Sequence, residues 1–421
     1  MKSINKILLS FFVFSFALSF ITWHPDLNNH VDWGIRFWQY GPGFFYKANV
    51  WSFTWPNQPP GTIYIFAGIR KLFEAVFSFF WFLNVNIPPF PSNIMLFFET
   101  NLYQTLLKLP YILADLGIAY LVYLILKELK LGKGAVWGAV FFLINPVVFY
   151  NSVIWGQTDS LVNFLALLSF WFLFKKRLTL ALIVFAASLY IKLSLVIFLP
   201  ILLVVAFRQK YSPKKWAIGI ALVLVIFTLL TLPFSTNRNP FVWLFYMYKD
   251  KVLTQQLQVI TANAFNIWAG ITGIHERPHT AMLGPLPYKL WGNLLFALSY
   301  LPALILVFKK QDIKSVVWCL SIVAFSSFML QTNMHERYLY PLFPYFTILA
   351  VLYPVLSPLY WAVSGISLLN LYNFWWFPRI EVLVKIMSAY DRIMPRILGF
   401  VSFFIYLLVY KRFFKTNFKE K

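Results

Sequence analysis

QTLLKLPYILADLGIAYLVYLILKE, residues 104–128, is the stretch on which the fold turns. From residue 104 to 127 it is an apolar run long enough to cross a bilayer, which takes about 20 such residues at about 1.5 Å each. It stops at Lys127, Glu128, Lys130 and Lys133. Asp115 sits near its centre, where a lone carboxylate is costly and faces the bundle interior, either as a functional group or as a protonated or hydrogen-bonded packing residue. Outward from this run the pattern repeats at 7–22, 135–150, 161–174, 178–191, 193–207, 216–234, 290–308, 315–330, 339–353, 355–372 and 396–410, twelve crossings in all. Lys and Arg gather in alternate connections, at Lys175–Arg177, Arg208–Lys215 and Lys309–Lys314. This is the positive-inside pattern, and it puts both termini in the cytoplasm. The run 7–22 is short, and is read as a retained helix against the alternative of a signal peptide cut at Ala17-Leu18-Ser19.

Composition agrees. Of 421 residues 60% are hydrophobic and 12% charged, whereas a soluble globule carries about 25% charged residues. The net charge of +22 is spread through short loops, so it reflects topology and contact with anionic lipids, not nucleic acid. Cys319 is the single cysteine and lies in an apolar run, so an intrachain disulfide is excluded. No repeat or soluble unit interrupts the chain. The expected fold is all-α, a polytopic transmembrane helical bundle forming one domain over 1–421, with interfacial helices.

The polar residues collect on one face. The first external loop, 23–103, holds His24, Asp26, His30, Asp32 and Arg36 among Trp33, Trp38 and Tyr46. Its segment 61–83 carries Arg70, Lys71 and Glu74, a pattern that lies in the interface more easily than it crosses. The second external loop is 235–289. The turn Trp155–Ser160, Lys192 between two runs, and His335-Glu336-Arg337-Tyr338 fall on the same side. A carboxylate beside a membrane surface and aromatic walls has its pKa lifted by desolvation, which suits a general base. Arg and His suit a phosphate, and Lys192 either meets the same phosphate or snorkels to headgroups. Walker-type loops, dinucleotide fingerprints and zinc spacings are missing from the sequence.

In order along the chain, Asp26 seven residues before Trp33, Tyr40-Gly41-Pro42 running to Tyr46, Pro59-Pro60-Gly61, Lys108-Leu109-Pro110 with Ala114-Asp115, Trp155–Ser160, Asn263–Trp268 and His335–Tyr338 resemble the landmarks of the GT-C class of membrane glycosyltransferases. His335-Glu336-Arg337 is similar to a His-Glu-Lys motif of its lipid-linked oligosaccharide branch, with Arg in third place. The resemblance implies GT-C-like outer-face loops and an enzyme moving a hexose, mannose or another common one, from a polyprenyl-phosphate sugar donor to the hydroxyl of a glycan, lipid-linked or protein acceptor, with inversion. It makes Asp26 the catalytic base with Asp32 in reserve, and gives the donor phosphate to His335, Arg337 and Lys192. Gln157, Asp159, Glu336 and Trp33 would meet sugar or acceptor, though Gln157 and Asp159 equally suit pinning the turn, and Trp38 and Trp268 are further stacking candidates. No metal ligands are assigned, although some branches of the class use a divalent metal. The rival functions are a transporter or flippase of lipid-linked sugars, which calls for half-helices and mid-membrane charges, and a non-catalytic assembly partner in an envelope complex.

Overall fold

The computed structural model describes residues 2–236, 238–253 and 257–418. It is almost wholly helical. The helices used below are α1 (Lys2–Ser19), α2 (Asp26–Tyr40), α3 (Pro60–Asn86), α4 (Tyr103–Glu128), α5 (Lys133–Leu143), α6 (Asp159–Phe174), α7 (Leu178–Ile191), α8 (Leu199–Arg208), α9 (Pro213–Ser235), α10 (Ile267–Thr272), α11 (Tyr288–Lys309), α12 (Ile313–Leu330), α13 (Leu342–Leu352), α14 (Ser357–Tyr372) and α15 (Glu381–Asn417). A two-stranded hairpin, Met282–Leu283 with Leu286–Pro287, sits in the 235–289 loop, of which residues 237 and 254–256 lie outside the described residues.

The chain shuttles between two ends of one bundle, but fewer helices than expected are full spans. Among the described residues six are long and apolar enough to cross, or seven if the pair Lys133–Leu143 and Pro146–Trp155, bent by 47°, is one span. The expected twelve crossings are corrected accordingly. Several of the apolar runs hold only short helices, such as α7 with 14 residues and α13 with 11. An 11-residue helix reaches only about 16 Å, half of a roughly 30 Å hydrocarbon core. Segment 61–83 lies in α3, which is not among the long apolar helices.

α12 is the centre of the bundle, with 83% of its apolar window buried. Asp312 starts it, accepting from the Ser315 backbone N–H at 3.1 Å and from its hydroxyl at 2.7 Å, which satisfies donors that a helix start otherwise leaves open. Small residues on α12, among them Ser315, Cys319, Ala324 and Ser326, let α11, α13 and α15 approach closely. By contrast α9 is only 17% buried over its window and turns Ile220, Leu222 and Leu229 outward, as a lipid-facing helix does. A smaller aromatic cluster of Trp33, Phe37, Phe66, Tyr103 and Phe234 joins α2 and α3 to the ends of α4 and α9.

Two breaks shape the polar end. After Asn145, whose side chain accepts from the Val147 N–H at 2.9 Å, the helix restarts at Pro146 and finishes in a π-helical turn, Tyr150–Trp155. Gly156 stops it at φ +74, a left-handed conformation that favours glycine, and a Cβ there would lie 2.7 Å from Leu27 Cδ2. The second break is at 389–392 in α15, where Tyr390, Asp391 and Arg392 take φ of 48, 51 and 59. It divides an outer helical arm from the terminal span that the sequence placed at 396–410.

Candidate functional site

Asp26 opens α2, and its position is set by two segments, the 155–157 turn and the residues just before the helix. Its Oδ2 accepts from the Trp155 indole N–H at 3.0 Å and from Gln157 Nε2 at 2.8 Å. Both donors come from the turn that Gly156 makes possible. The Asp26 backbone N–H donates to His24 Nδ1 at 3.3 Å, which leaves the proton of this imidazole on Nε2. His24 is wholly buried, stacked 4.2 Å from the Trp155 ring and tilted against Trp375 at 4.6 Å.

Asp26, Glu336, Arg337, His335 and Trp375 line one cavity of about 330 Å³. A second, of about 440 Å³, is lined by Lys192, Asp159, Ser194 and Gln58 with apolar Val196 and Ile197. His335 and Arg337 belong to both. The Arg337 guanidinium is therefore the partition. Its Nη1 donates to Glu336 Oε1 at 2.8 Å, it lies 5.7 Å from the ring centres of both Trp155 and Tyr338, and its buried Nε has no partner among the described residues. Lys192 Nζ donates to Asp159 Oδ1 at 2.6 Å, while Asp159 Oδ2 is buried without a partner.

The electrostatics differ from the sequence expectation. Burial pushes the Asp26 carboxyl up, as expected, but Arg337 and the Trp155 hydrogen bond outweigh it and hold the group below its ordinary value. Glu336 goes the other way, raised by burial more than Arg337 lowers it. Burial lowers His24 to about 3, His30 to about 4 and His335 to about 3, so all three imidazoles are neutral at neutral pH. The expected lift of the Asp26 pKa is thus corrected to a lowering, whose first cause is Arg337.

His24 and His30 give a pH test. Each has its folded pKa below the ordinary 6.5, so the unfolded chain takes up more protons as pH falls. Stability is therefore complete above pH 6.5 and is lost on the way down towards 4, by about 2 kcal/mol per histidine at pH 5. Glu336, shifted upward, opposes this only in part. Thermal unfolding in detergent between pH 7.5 and 5 should show the loss, and a His30→Phe variant should show a shallower one, since His30 stacks 4.4 Å from Phe66 in an apolar nest. An unchanged slope in that variant would refute the assignment.

Of the sequence candidates, Asp26, Gln157, Asp159, Lys192, His335, Glu336 and Arg337 converge. Asp32 and Trp33 do not. Asp32 accepts from Arg36 Nε at 3.3 Å, Ser52 Oγ at 2.8 Å and the Ser52 N–H at 3.0 Å, and so pins the 48–54 loop to α2. Trp33, Trp38 and Trp268 each donate an indole N–H to a backbone carbonyl, of Thr54, Ala67 and Leu330 respectively, and line neither cavity. The aromatic walls are Phe374 and Trp375 in the first cavity and Tyr338 in the second, to none of which the sequence assigned a stacking role. Among the described residues no three His, Cys, Asp or Glu side chains are grouped to hold a metal ion.

A family model described as GPI transamidase subunit PIG-U matches residues 71–262, somewhat less than half of the chain. The matched part contains Gln157, Asp159 and Lys192 but neither Asp26 nor His335–Arg337. No curated protein matches the chain. The match supports an integral multi-pass membrane protein. It also overturns the expectation of hexose transfer from a polyprenyl-phosphate donor and the alternative of a sugar flippase, because the description names a subunit of a transamidase.

Proposed function

We propose that the chain is a membrane subunit that holds the headgroup of a glycosylated phospholipid for a transferase assembly. The glycan occupies the Asp26 cavity, and the lipid phosphate lies at Lys192 and Arg337. The observation that carries this reading is Arg337, a guanidinium standing between a cavity walled by carboxylates and aromatic rings and one walled by the Lys192–Asp159 pair and aliphatic side chains, with an Nε left without a partner among the described residues. Carboxylates beside an aromatic face suit sugar hydroxyls, and Lys and Arg suit a phosphodiester. Val196, Ile197 and Leu253 offer an apolar path for the lipid part. The work within an assembly comes from the description of the matched family. In this reading the end carrying Lys127, Lys175 and Lys309 is cytoplasmic, with both termini, and the site is on the external face.

The test is ligand-induced thermal stabilisation of the full chain in neutral detergent. Three probes are compared: a glycosylated phosphatidylinositol, phosphatidylinositol without the glycan, and a neutral glycolipid without phosphate. Only the first should stabilise strongly, by about 2.7 kcal/mol at a hundredfold excess over Kd. Lys192→Met should weaken that probe at least tenfold and leave the neutral glycolipid unaffected. Equal binding of all three lipids, or a Lys192→Met variant with unchanged affinity, would overturn the reading.

A further inference from the structure

The end of the bundle away from Asp26 carries a cavity of its own. α8 runs from the Lys192 end to Arg208 through a 3-10 turn, Leu193–Phe198, and ten α-helical residues, a rise of roughly 25 Å. There, where α8 ends and α9 begins, a cavity of about 700 Å³ is lined by Phe207, Arg208, Lys210, Tyr211, Pro213 and Trp216. Its size is within the roughly 300–1,000 Å³ of small-ligand sites. Its charge is one-sided. Lys214 and Lys215 follow on α9, and Lys309 and Lys310 stand at the end of α11, whose Phe308 ring lies 4.8 Å from the Arg208 guanidinium. Among the described residues none of these six cations is paired with a carboxylate. The acid nearest in sequence, Asp312, is committed to Ser315.

We propose that this cavity binds the headgroup of an anionic phospholipid from the surrounding leaflet. Three observations converge on a lipid. Two of the cations, Arg208 and Lys210, line a recess, and the other four stand at the start of α9 and the end of α11. Its walls are aromatic, with Phe207 72% exposed and Trp216 and Tyr211 half-buried, the amphipathic rings that favour the headgroup level. Beyond the recess runs α9, the least buried of the long apolar helices among the described residues, whose outward Ile218, Ile220 and Leu222 give acyl chains a track. Basic recesses between spans are where phosphate headgroups are held. The site is independent of the glycolipid reading and lies at the opposite end of the bundle.

The test uses the full chain in neutral detergent, with lipids counted by native mass spectrometry during titration. The probes are dioleoyl phosphatidylglycerol, dioleoyl phosphatidylcholine and free glycerol phosphate. Wild type should retain one phosphatidylglycerol that phosphatidylcholine does not displace. Arg208→Gln with Lys210→Gln should weaken it more than tenfold, at about fivefold per cation removed. Both side chains are exposed, so the variant is expected to fold. Lys130→Gln with Lys133→Gln, an equal charge loss at the same end, should leave it unchanged. Equal retention of phosphatidylcholine, equal weakening in the Lys130/Lys133 variant, or competition by glycerol phosphate as strong as by the lipid would each overturn the proposal. If the first variant does not fold, Lys210→Gln alone must still weaken binding about fivefold, and an unchanged affinity overturns it.

Discussion

Replacing Arg337 by Met should destabilise the protein by roughly 3–5 kcal/mol, the usual cost of removing one partner from a buried ion pair. Glu336 is 3% exposed, with Oε1 held by the Arg337 guanidinium, and Asp26 owes its lowered pKa first to the same group. Without it both carboxyls are left in a low-dielectric pocket, and their folded pKa values move above their unfolded ones. The sign of the pH response follows. Groups raised in the folded state contribute stability below the unfolded pKa and lose it as pH rises, so Arg337→Met should recover stability relative to the wild type on going from pH 7.5 towards 5, which makes its net loss shallower because His24 and His30 still titrate. The wild type should lose it over the same range through His24 and His30. Arg337→Met combined with Glu336→Gln should regain part of the loss without regaining lipid binding. Thermal unfolding of the three proteins at pH 5 and 7.5 decides it. An Arg337→Met variant within about 1 kcal/mol of wild type, with the same pH slope, would remove Arg337 as the electrostatic centre of the site.

That the candidate residues drew attention in the sequence has a physical cause. A chain this apolar leaves its charges in the short polar segments between apolar runs, where Asp26, Lys192 and Arg337 lie, and the resemblance gave them their roles. The same logic failed for Asp32, and the reason was legible: Arg36 is four residues on, the spacing at which two side chains meet on a helix face. The aromatic walls were hidden because aromatic rings are everywhere in this sequence, and nothing local distinguishes Phe374 and Trp375, which line the Asp26 cavity, from Trp33 and Trp268, which hold backbone carbonyls. The number of full spans was overstated for a related reason. Apolar runs mark where the chain is buried, but not whether a run is one straight helix, a 3-10 turn leading into a helix as at 193–208, or two arms around a break as at 389–392.

Lys108 carries the second large expected effect, and it lies outside both cavities. It is fully buried near the start of α4, and its Nζ donates to the Ser19 carbonyl at 3.0 Å, to Thr22 Oγ1 at 2.9 Å and to the Thr22 carbonyl. Those acceptors end α1 and begin the turn that presents His24 and Asp26. Thr22 Oγ1 in turn donates to the Val153 carbonyl at 2.8 Å, inside the π-helical turn that delivers Trp155 and Gln157. One ammonium thus ties the segment holding the carboxylate to the segment holding its two donors. Lys108→Met keeps the volume and removes three hydrogen bonds, leaving buried carbonyls with no donor at about 1–3 kcal/mol each. A total loss of roughly 2–5 kcal/mol is expected. Lys108→Arg should not rescue it, because a planar fork does not fit where Gly156 already approaches Lys108 Cγ so closely that a Cβ would lie 3.1 Å away. Hydrogen exchange separates this role from a simple core defect. Loosening confined to residues 20–27 and 150–158 is the signature of a lost tie, whereas uniform loosening along α4 would mean that Lys108 only fills space.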